Sequence, residues 1–171
     1  IQTQAVCDYF PFSVPHPELD TWQILDQVTD GEAQLWEIQR ELSQLQAEEE
    51  ILYRPFQTLS KGEQTKALLA ALFLRQGHFL LIDEPTNHLD QEARTAVSRY
   101  LSKREGFILV SHDRAFLDGC VDHILALNRQ DIELQQGNFS SWYENRKRQD
   151  AFEQAENNRL KRDIRRLEEG A

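Results

Sequence analysis

Hydrophobic residues along this chain form two kinds of pattern, short apolar runs and one-faced helical repeats. The runs AVCDYF, HFLLIDEP and GFILVSHD predict strands, and the last two end in polar residues. Between these two strands, EARTAVSRYLSK predicts a helix. This order predicts a parallel sheet in which HFLLIDEP and GFILVSHD are buried strands. Ligands bind at the carboxyl ends of such strands, where Asp-Glu and Ser-His-Asp lie.

The segment between the first two strands is predominantly helical in pattern. From about Glu18 to Leu52 the sequence predicts a helical region, in which Leu35, Ile38, Leu42 and Leu45 mark one amphipathic face. In TLSKGEQTKALLAALFLRQ, Glu63 follows Ser60 by three positions, which predicts a capping box at the start of a buried helix.

The last third of the chain predicts a hairpin and a long helix. VDHILALN and DIELQQG predict two short strands with a turn near Asn128 to Gln130. From about Phe139 to Glu169 the sequence is densely charged and sparsely apolar. That composition fits one leg of a helical hairpin better than a core helix.

Composition excludes several classes of protein. Forty per cent hydrophobic residues is enough for a packed core. The longest apolar run, ALLAALFL, is too short to span a bilayer. Cys7 and Cys120 are too few for a disulfide framework or a metal cluster, so we expect two reduced core thiols.

Charge is distributed unevenly along the chain. The net charge is −10, which argues against sequence-independent coating of nucleic acid. From Glu144 onward the chain has eight basic and seven acidic residues, a net charge of +1, so the preceding residues carry a net charge of −11. We therefore expect any nucleic-acid contact in this tail.

Asp83 and Glu84 end the apolar strand HFLLIDEP, and nucleotide hydrolysis requires two such carboxylates. One helps to hold the magnesium ion that bridges the β- and γ-phosphates, and the other orients the attacking water. Asp83 fits the first role and Glu84 the second. Taken alone, the pair is equally compatible with two solvated acids at the end of a strand.

Two further polar motifs flank these carboxylates. The segment LSKGEQ opens a helix, and a helix N-terminus binds anions through its unpaired N–H groups. There Gly62 would let the backbone approach a phosphate, and Ser60 supplies a hydroxyl. His112 follows the FILV strand, where an imidazole can reach a γ-phosphate. Each motif alone is more often an ordinary helix cap or an ordinary surface histidine.

Taken together, LSKGEQ, FLLIDEPTNHLD and ILVSHDRAFLD resemble the signature, Walker B with D-loop, and switch-histidine motifs of an ATP-binding-cassette (ABC) domain. EPTNHLD and SHDRAFLD are similar to the ABC-F class, whose soluble members carry two cassettes in one polypeptide. The resemblance implies an α/β fold, namely a partial P-loop ABC-type nucleotide-binding domain. Such a domain has a parallel sheet core, and its helical subdomain would lie at about 18–57. This domain would occupy 1–137, and 138–171 would begin a charged helical linker. That linker places the chain in the first cassette.

The resemblance also assigns roles to individual residues. Asp83 would be the magnesium ligand, Glu84 the catalytic base and His112 the sensor of the γ-phosphate. Asp90 would contact the partner cassette. The signature residues would be Ser60, Lys61, Gly62 and Glu63. They would act in trans, on ATP held by that cassette, and Ser60 and Gly62 would contact its γ-phosphate.

Three departures from the family pattern affect the expected activity. Lys61 replaces the common signature glycine, and Phe12 stands where the Q-loop glutamine aligns. No G-x-x-x-x-G-K-[ST] phosphate loop occurs in the sequence. Since the chain also begins at Ile1 and contains no Met, we interpret it as a fragment that by itself hydrolyses no ATP.

The resemblance implies a cytoplasmic ATPase that uses ATP and Mg²⁺. Its partners would be the second cassette and the ribosome, with the linker reaching rRNA and tRNA, and no membrane. Similarity to antibiotic-resistance members suggests ribosome protection. Three alternatives stay open: the ATPase subunit of an ABC transporter, a DNA-maintenance ATPase with coiled-coil arms, and a degenerate, non-catalytic cassette.

Overall fold

A computed structural model describes residues 6–128 and 131–169. The chain forms two compact units, Ile1–Cys120 and Val121–Ala171. The first contains β1 (Val6–Phe10), α1 (Thr21–Val28), α2 (Leu35–Gln44), α3 (Lys61–Leu72), β2 (His78–Asp83), α4 (Gln91–Leu101), β3 (Phe107–Val110) and α5 (Arg114–Cys120). The second contains β4 (His123–Leu127), β5 (Ile132–Gln136) and α6 (Phe139–Glu169). The domain boundaries expected from the sequence remain predictions.

The three strands of the first unit form the predicted parallel sheet, in the order β1-β2-β3. Phe10 lies opposite Ile82, and Asp83 lies opposite Val110. The carboxyl ends of all three strands therefore meet at one edge. This edge positions the polar residues that follow β2 and β3.

The prediction that β2 and β3 are buried on both faces is wrong. Leu80 and Ile82 of β2 are buried, but Leu81 is only half-buried, and Ile108 and Val110 of β3 are exposed. In the described part of the chain β3 pairs with β2 alone, and Ile108 and Val110 keep 43% and 54% of their surface exposed. The apolar composition of the strand does not say which layers cover it.

The predicted helical region is broken into two helices. Asp30 and Gly31 adopt positive φ angles of 54° and 72°, which ends α1 and redirects the chain before α2. Short 3₁₀ turns, Glu49–Tyr53 and Phe56–Thr58, then lead to α3. The amphipathic face of α2 is confirmed, since Ile38, Leu42 and Leu45 are buried, whereas Leu35 is partly exposed.

Helix α3 begins as the sequence predicts. Ser60 is its N-cap: the Glu63 amide donates to Ser60 Oγ at 3.2 Å, and the Ser60 amide donates to Glu63 Oε2 at 2.7 Å. Its apolar residues, among them Leu69, Ala70 and Ala71, are fully buried. Of the two thiols, Cys120 is buried as expected, but Cys7 is exposed.

A buried carboxylate links α2 to α4. Glu41 accepts a hydrogen bond of 2.7 Å from the Tyr100 hydroxyl, and Arg104 also donates to the same carboxylate oxygen. Glu41 is only 1% exposed. The guanidinium of Arg104 lies 4.3 Å from the centre of the Tyr100 ring. These contacts fasten the helical segment to the helix that follows the proposed D-loop.

The second unit consists of the predicted hairpin and the predicted long helix. β4 and β5 pair antiparallel, with Leu125 opposite Leu134. Of the predicted turn, residues 129 and 130 lie outside the described residues. α6 spans 31 residues, and its apolar side chains Phe152, Leu160 and Ile164 are exposed. None of the helices in the described ranges combines the length and apolar character that crossing a bilayer requires.

Candidate functional site

The backbone turns sharply between Asp83 and Glu84, at the carboxyl end of β2. Glu84 has a φ of 45°, in the left-handed region that residues other than glycine seldom adopt. Its amide is held there by a hydrogen bond of 2.8 Å to the carbonyl of Val110. Strain of this kind costs on the order of 1–3 kcal/mol and is typical of functional sites.

The Glu84 carboxylate lies against the loop that follows β3. Its Oε1 is 3.4 Å from His112 Nε2, and its Oε2 is 3.5 Å from the Ser111 hydroxyl. The side chain of Glu84 is 20% exposed, whereas that of His112 is 98% exposed. Oε1 is a buried oxygen without a well-formed hydrogen bond in the described part of the chain. It is therefore available to accept a hydrogen bond from water or a ligand.

Asp83 has a neighbour that the sequence did not identify. The Tyr9 hydroxyl donates a hydrogen bond of 2.9 Å to Asp83 Oδ2. This hydrogen bond, together with a small loss of hydration and the charge of Asp83, raises the pKa of Tyr9. Tyr9 lies opposite Leu81 in the sheet, so it is a diagonal neighbour of Asp83. Only the strand register could have shown this.

The signature residues are ordered by the start of α3. Lys61 Nζ donates to Gln64 Oε1 at 3.1 Å, on the helix itself. The pKa of Glu63 is lowered: burial acts to raise it, but hydrogen bonds with Ser60 and the charges of Arg54 and Lys66 outweigh that effect. A charged Glu63 in the first turn also interacts favourably with the positive end of the helix dipole.

Gly62 brings this helix start close to the segment that follows Glu84. A Cβ atom on Gly62 would lie 3.5 Å from the carbonyl oxygen of His88 and 3.6 Å from Leu89 Cδ2. A shallow groove of about 450 Å³ runs along this contact. It is lined by Ser60, Lys61, Gly62, Glu63, Lys66, His88, Asp90 and Ala93.

Asp90 has a structural role in addition to its predicted one. Its carboxylate caps α4 by accepting a hydrogen bond of 2.8 Å from the Ala93 amide. The predicted residues thus fall into two groups, with Asp83, Glu84 and His112 at the strand ends and the signature residues with Asp90 along the groove. Phe12 lines a separate groove of about 550 Å³ that also contains Lys61 and His88.

Residues 5–87 match the family model described as ABC transporter. A dimeric bacterial ABC transporter cassette superposes with a TM-score of 0.61 at 16% identity, over 75% of this chain and 61% of that one. The chain carries an ABC-type nucleotide-binding domain fold. The fold expected from the motifs, followed by a long charged helix, is confirmed.

Two bacterial proteins are among the sequence relatives of this chain. The energy-dependent translational throttle protein EttA of Haemophilus influenzae is 40% identical over 107 residues, 62% of this chain and 19% of the relative. EttA of Escherichia coli K12 is 44% identical over 87 residues, 50% of this chain and 16% of the relative. The matches thus span about a fifth or less of these relatives. The resemblance to the ABC family is confirmed.

The archaeal ribosome recycling factor, in complex with a ribosomal stalk protein, superposes with a TM-score of 0.58 at 25% identity. The superposition covers 77% of this chain and 27% of that one.

Proposed function

We propose that this chain belongs to the first cassette of an ABC-F protein that binds and hydrolyses ATP to act on the ribosome. The translational-throttle relatives, at 40–44% identity, support a role in translation. The observation that carries the ATPase proposal is the buried Glu84 oxygen at the sheet edge, 3.4 Å from His112.

The side chains at this edge fit a nucleotide with a magnesium ion. Among the described residues no cluster of three or more His, Cys, Asp or Glu could hold a metal alone. Magnesium commonly takes one or two carboxylates and completes its shell with phosphate oxygens and water. When bound, the nucleotide supplies the phosphoryl group that is transferred to water, and Asp83 provides the carboxylate for its metal.

Glu84 would act as the general base. Once His112 has left Oε1, this oxygen would accept a hydrogen bond from the attacking water and orient it, which typically contributes about 10²–10⁴ in rate. The strained turn at Glu84 holds the carboxylate at the strand end rather than letting it swing into solvent. His112 would exchange its contact with Glu84 for the γ-phosphate, and the exposure of its ring supports this role.

The signature residues would act on a nucleotide held by the second cassette. The unpaired N–H groups at the start of α3 favour an anion, and Gly62 keeps the backbone accessible there. Asp90 lies in the same groove and would contact the partner cassette. Lys61 and Glu63 complete this surface. ATP hydrolysis would then require two cassettes closed on each other.

The basic residues of α6 would provide the contact with the ribosome. Lys161, Arg162 and Arg165, with Asn158, line one shallow groove along this helix. Such a stripe suits the phosphates of rRNA and tRNA. We propose a cytoplasmic location for the protein, and ribosome protection against antibiotics as its specific role.

The test is Glu84→Gln in the full-length gene product, with Glu105→Gln, an exposed glutamate, as the matched control. We expect Glu84→Gln to abolish hydrolysis and to trap the protein on ribosomes when ATP is present. Ribosomes that release the variant as readily as the control would contradict the proposal. Co-purification with a membrane domain instead would favour the transporter alternative.

The isolated 171 residues give a second test, since their sequence holds no phosphate loop. We expect no ATPase activity from this chain by itself. Robust activity that Glu84→Gln abolishes would refute that expectation.

A further inference from the structure

Arg94 on α4 joins the two segments that flank the proposed catalytic carboxylate. Its Nε donates a hydrogen bond of 3.0 Å to the carbonyl oxygen of Leu89, which immediately precedes Asp90. Its Nη1 donates a hydrogen bond of 3.2 Å to Asp113 Oδ2, in the residue after His112. One side chain therefore connects the segment after β2 to the loop after β3.

Asp113 passes this connection on to the residues around Glu84. Its Oδ1 accepts from the Phe116 amide at 3.0 Å, which anchors the carboxylate on the first turn of α5. Its own amide donates to the Ser111 hydroxyl oxygen at 3.1 Å. That hydroxyl lies 3.5 Å from Glu84 Oε2. The loop that carries Ser111 and His112 is thus ordered by a residue that Arg94 holds.

The geometry favours a positioning role over a stabilising one. The side chains of Arg94 and Asp113 are 39% and 23% exposed, and an ion pair so open to solvent contributes little to folding. A guanidinium, however, presents a rigid planar fork, so its two bonds fix the Leu89 carbonyl relative to the Asp113 carboxylate. Lysine has a single ammonium group on a flexible stem and cannot hold both acceptors in one plane.

We propose that Arg94 is a positioning residue for hydrolysis, which couples the Leu89–Asp90 segment to the Ser111–Asp113 loop. The proposal rests on the ATPase function proposed above. Movement at Asp90, which lies in the groove with the signature residues, shifts the Leu89 carbonyl. Arg94 transmits this shift to Asp113, and so to the Ser111 hydroxyl and the His112 ring that contact Glu84. A partner seated on the groove would thereby influence the catalytic carboxylate.

The decisive comparison is Arg94→Ala against Arg99→Ala in the full-length gene product. Arg99 is an exposed arginine of the same helix, so both variants lose the same charge. We expect Arg94→Ala to lower kcat by roughly 10- to 100-fold, the penalty for a misplaced catalytic group, with the KM for ATP within about twofold. We expect Arg99→Ala to match the wild type in both constants.

Nuclear magnetic resonance of the His112 ring provides a readout that does not depend on activity. Its signal, identified by its loss in His112→Gln, should shift in Arg94→Ala and stay in place in Arg99→Ala. Arg94→Lys should restore little of kcat. Asp113→Asn keeps an acceptor for the Phe116 amide but loses the charge, so its effect should not add to that of Arg94→Ala.

The possible failures are distinguishable. A wild-type protein without ATPase activity would refute the proposed function, and the His112 signal would still test the link. Wild-type kcat in Arg94→Ala, or an unmoved His112 signal, would overturn the positioning role. A fall in kcat accompanied by a lower thermal midpoint and an unmoved ring signal would reduce Arg94 to a structural residue, which also overturns it.

Discussion

Replacing Glu41 by Ala tests how firmly the helical segment is fastened to α4. The carboxylate is 1% exposed and accepts hydrogen bonds from the Tyr100 hydroxyl and from Arg104, while Arg40 lies 3.1 Å from its other oxygen. Burial, and then the negative charge of Glu41, raises the pKa of Tyr100 far above its ordinary value. The hydroxyl therefore stays protonated and remains a donor at any working pH.

The size of the effect follows from the groups that lose their partner. Removing one member of a buried charge pair usually costs about 3–5 kcal/mol. The Tyr100 hydroxyl would be left buried and unpaired, at a cost of about 1–3 kcal/mol. Arg104 is 22% exposed and can turn toward solvent, which places the total near the lower limit, at about 3 kcal/mol. Glu41→Gln keeps a neutral acceptor and should cost only about 1 kcal/mol.

Hydrogen exchange of the α2 and α4 amides in the full-length gene product measures this cost locally. A loss of about 3 kcal/mol corresponds to a roughly 150-fold drop in protection. Ser43→Ala, at an exposed position of α2, should leave protection unchanged. A drop of less than about tenfold in Glu41→Ala, or equal drops in Glu41→Ala and Glu41→Gln, would refute the role assigned to Glu41 as a buried hydrogen-bond acceptor.

Three further predictions concern the signature helix and the linker. The pKa of Glu63 is lowered, so its charge stabilises the fold above about pH 4.5 and this contribution is lost as the pH falls through the lower folded-state pKa. Glu63→Gln, which can retain the capping box, should destabilise by about 0.5 kcal/mol at neutral pH and match the wild type once the pH lies below the lowered pKa of Glu63, as measured by urea unfolding. Gly62→Ala places its methyl at ordinary contact distances and should keep the thermal midpoint while lowering ATPase activity; full activity would argue against phosphate approach there. Substituting Gln for Lys161, Arg162 and Arg165 should weaken ribosome binding. The slope of log K against log salt concentration should become shallower by about one for each residue replaced, whereas an unchanged slope would exclude this stripe from the contact.

Local patterns in the sequence determined much of this fold. The spacing of Ser60 and Glu63 predicted the capping box, because each side chain bonds the other residue's amide within one helical turn. Two short strand-like segments with a turn near Asn128 to Gln130 predicted the β4–β5 hairpin, and dense charge with sparse apolar positions predicted α6. The two carboxylates at the end of β2 were predicted because strand order places them at the ligand edge of a parallel sheet.

Only the tertiary structure decided which surfaces are covered and which distant side chains meet. Periodicity shows where a segment is apolar but not what packs on it, so the exposure of Ile108 and Val110 could not be foreseen. Tyr9 and Asp83 are 74 positions apart, Glu41 and Tyr100 are 59, and Arg94 and Asp113 are 19. Contacts over such separations depend on strand register and helix packing, which no local pattern encodes. Sequence alone identified the candidate catalytic groups, whereas packing supplied the residues that orient them.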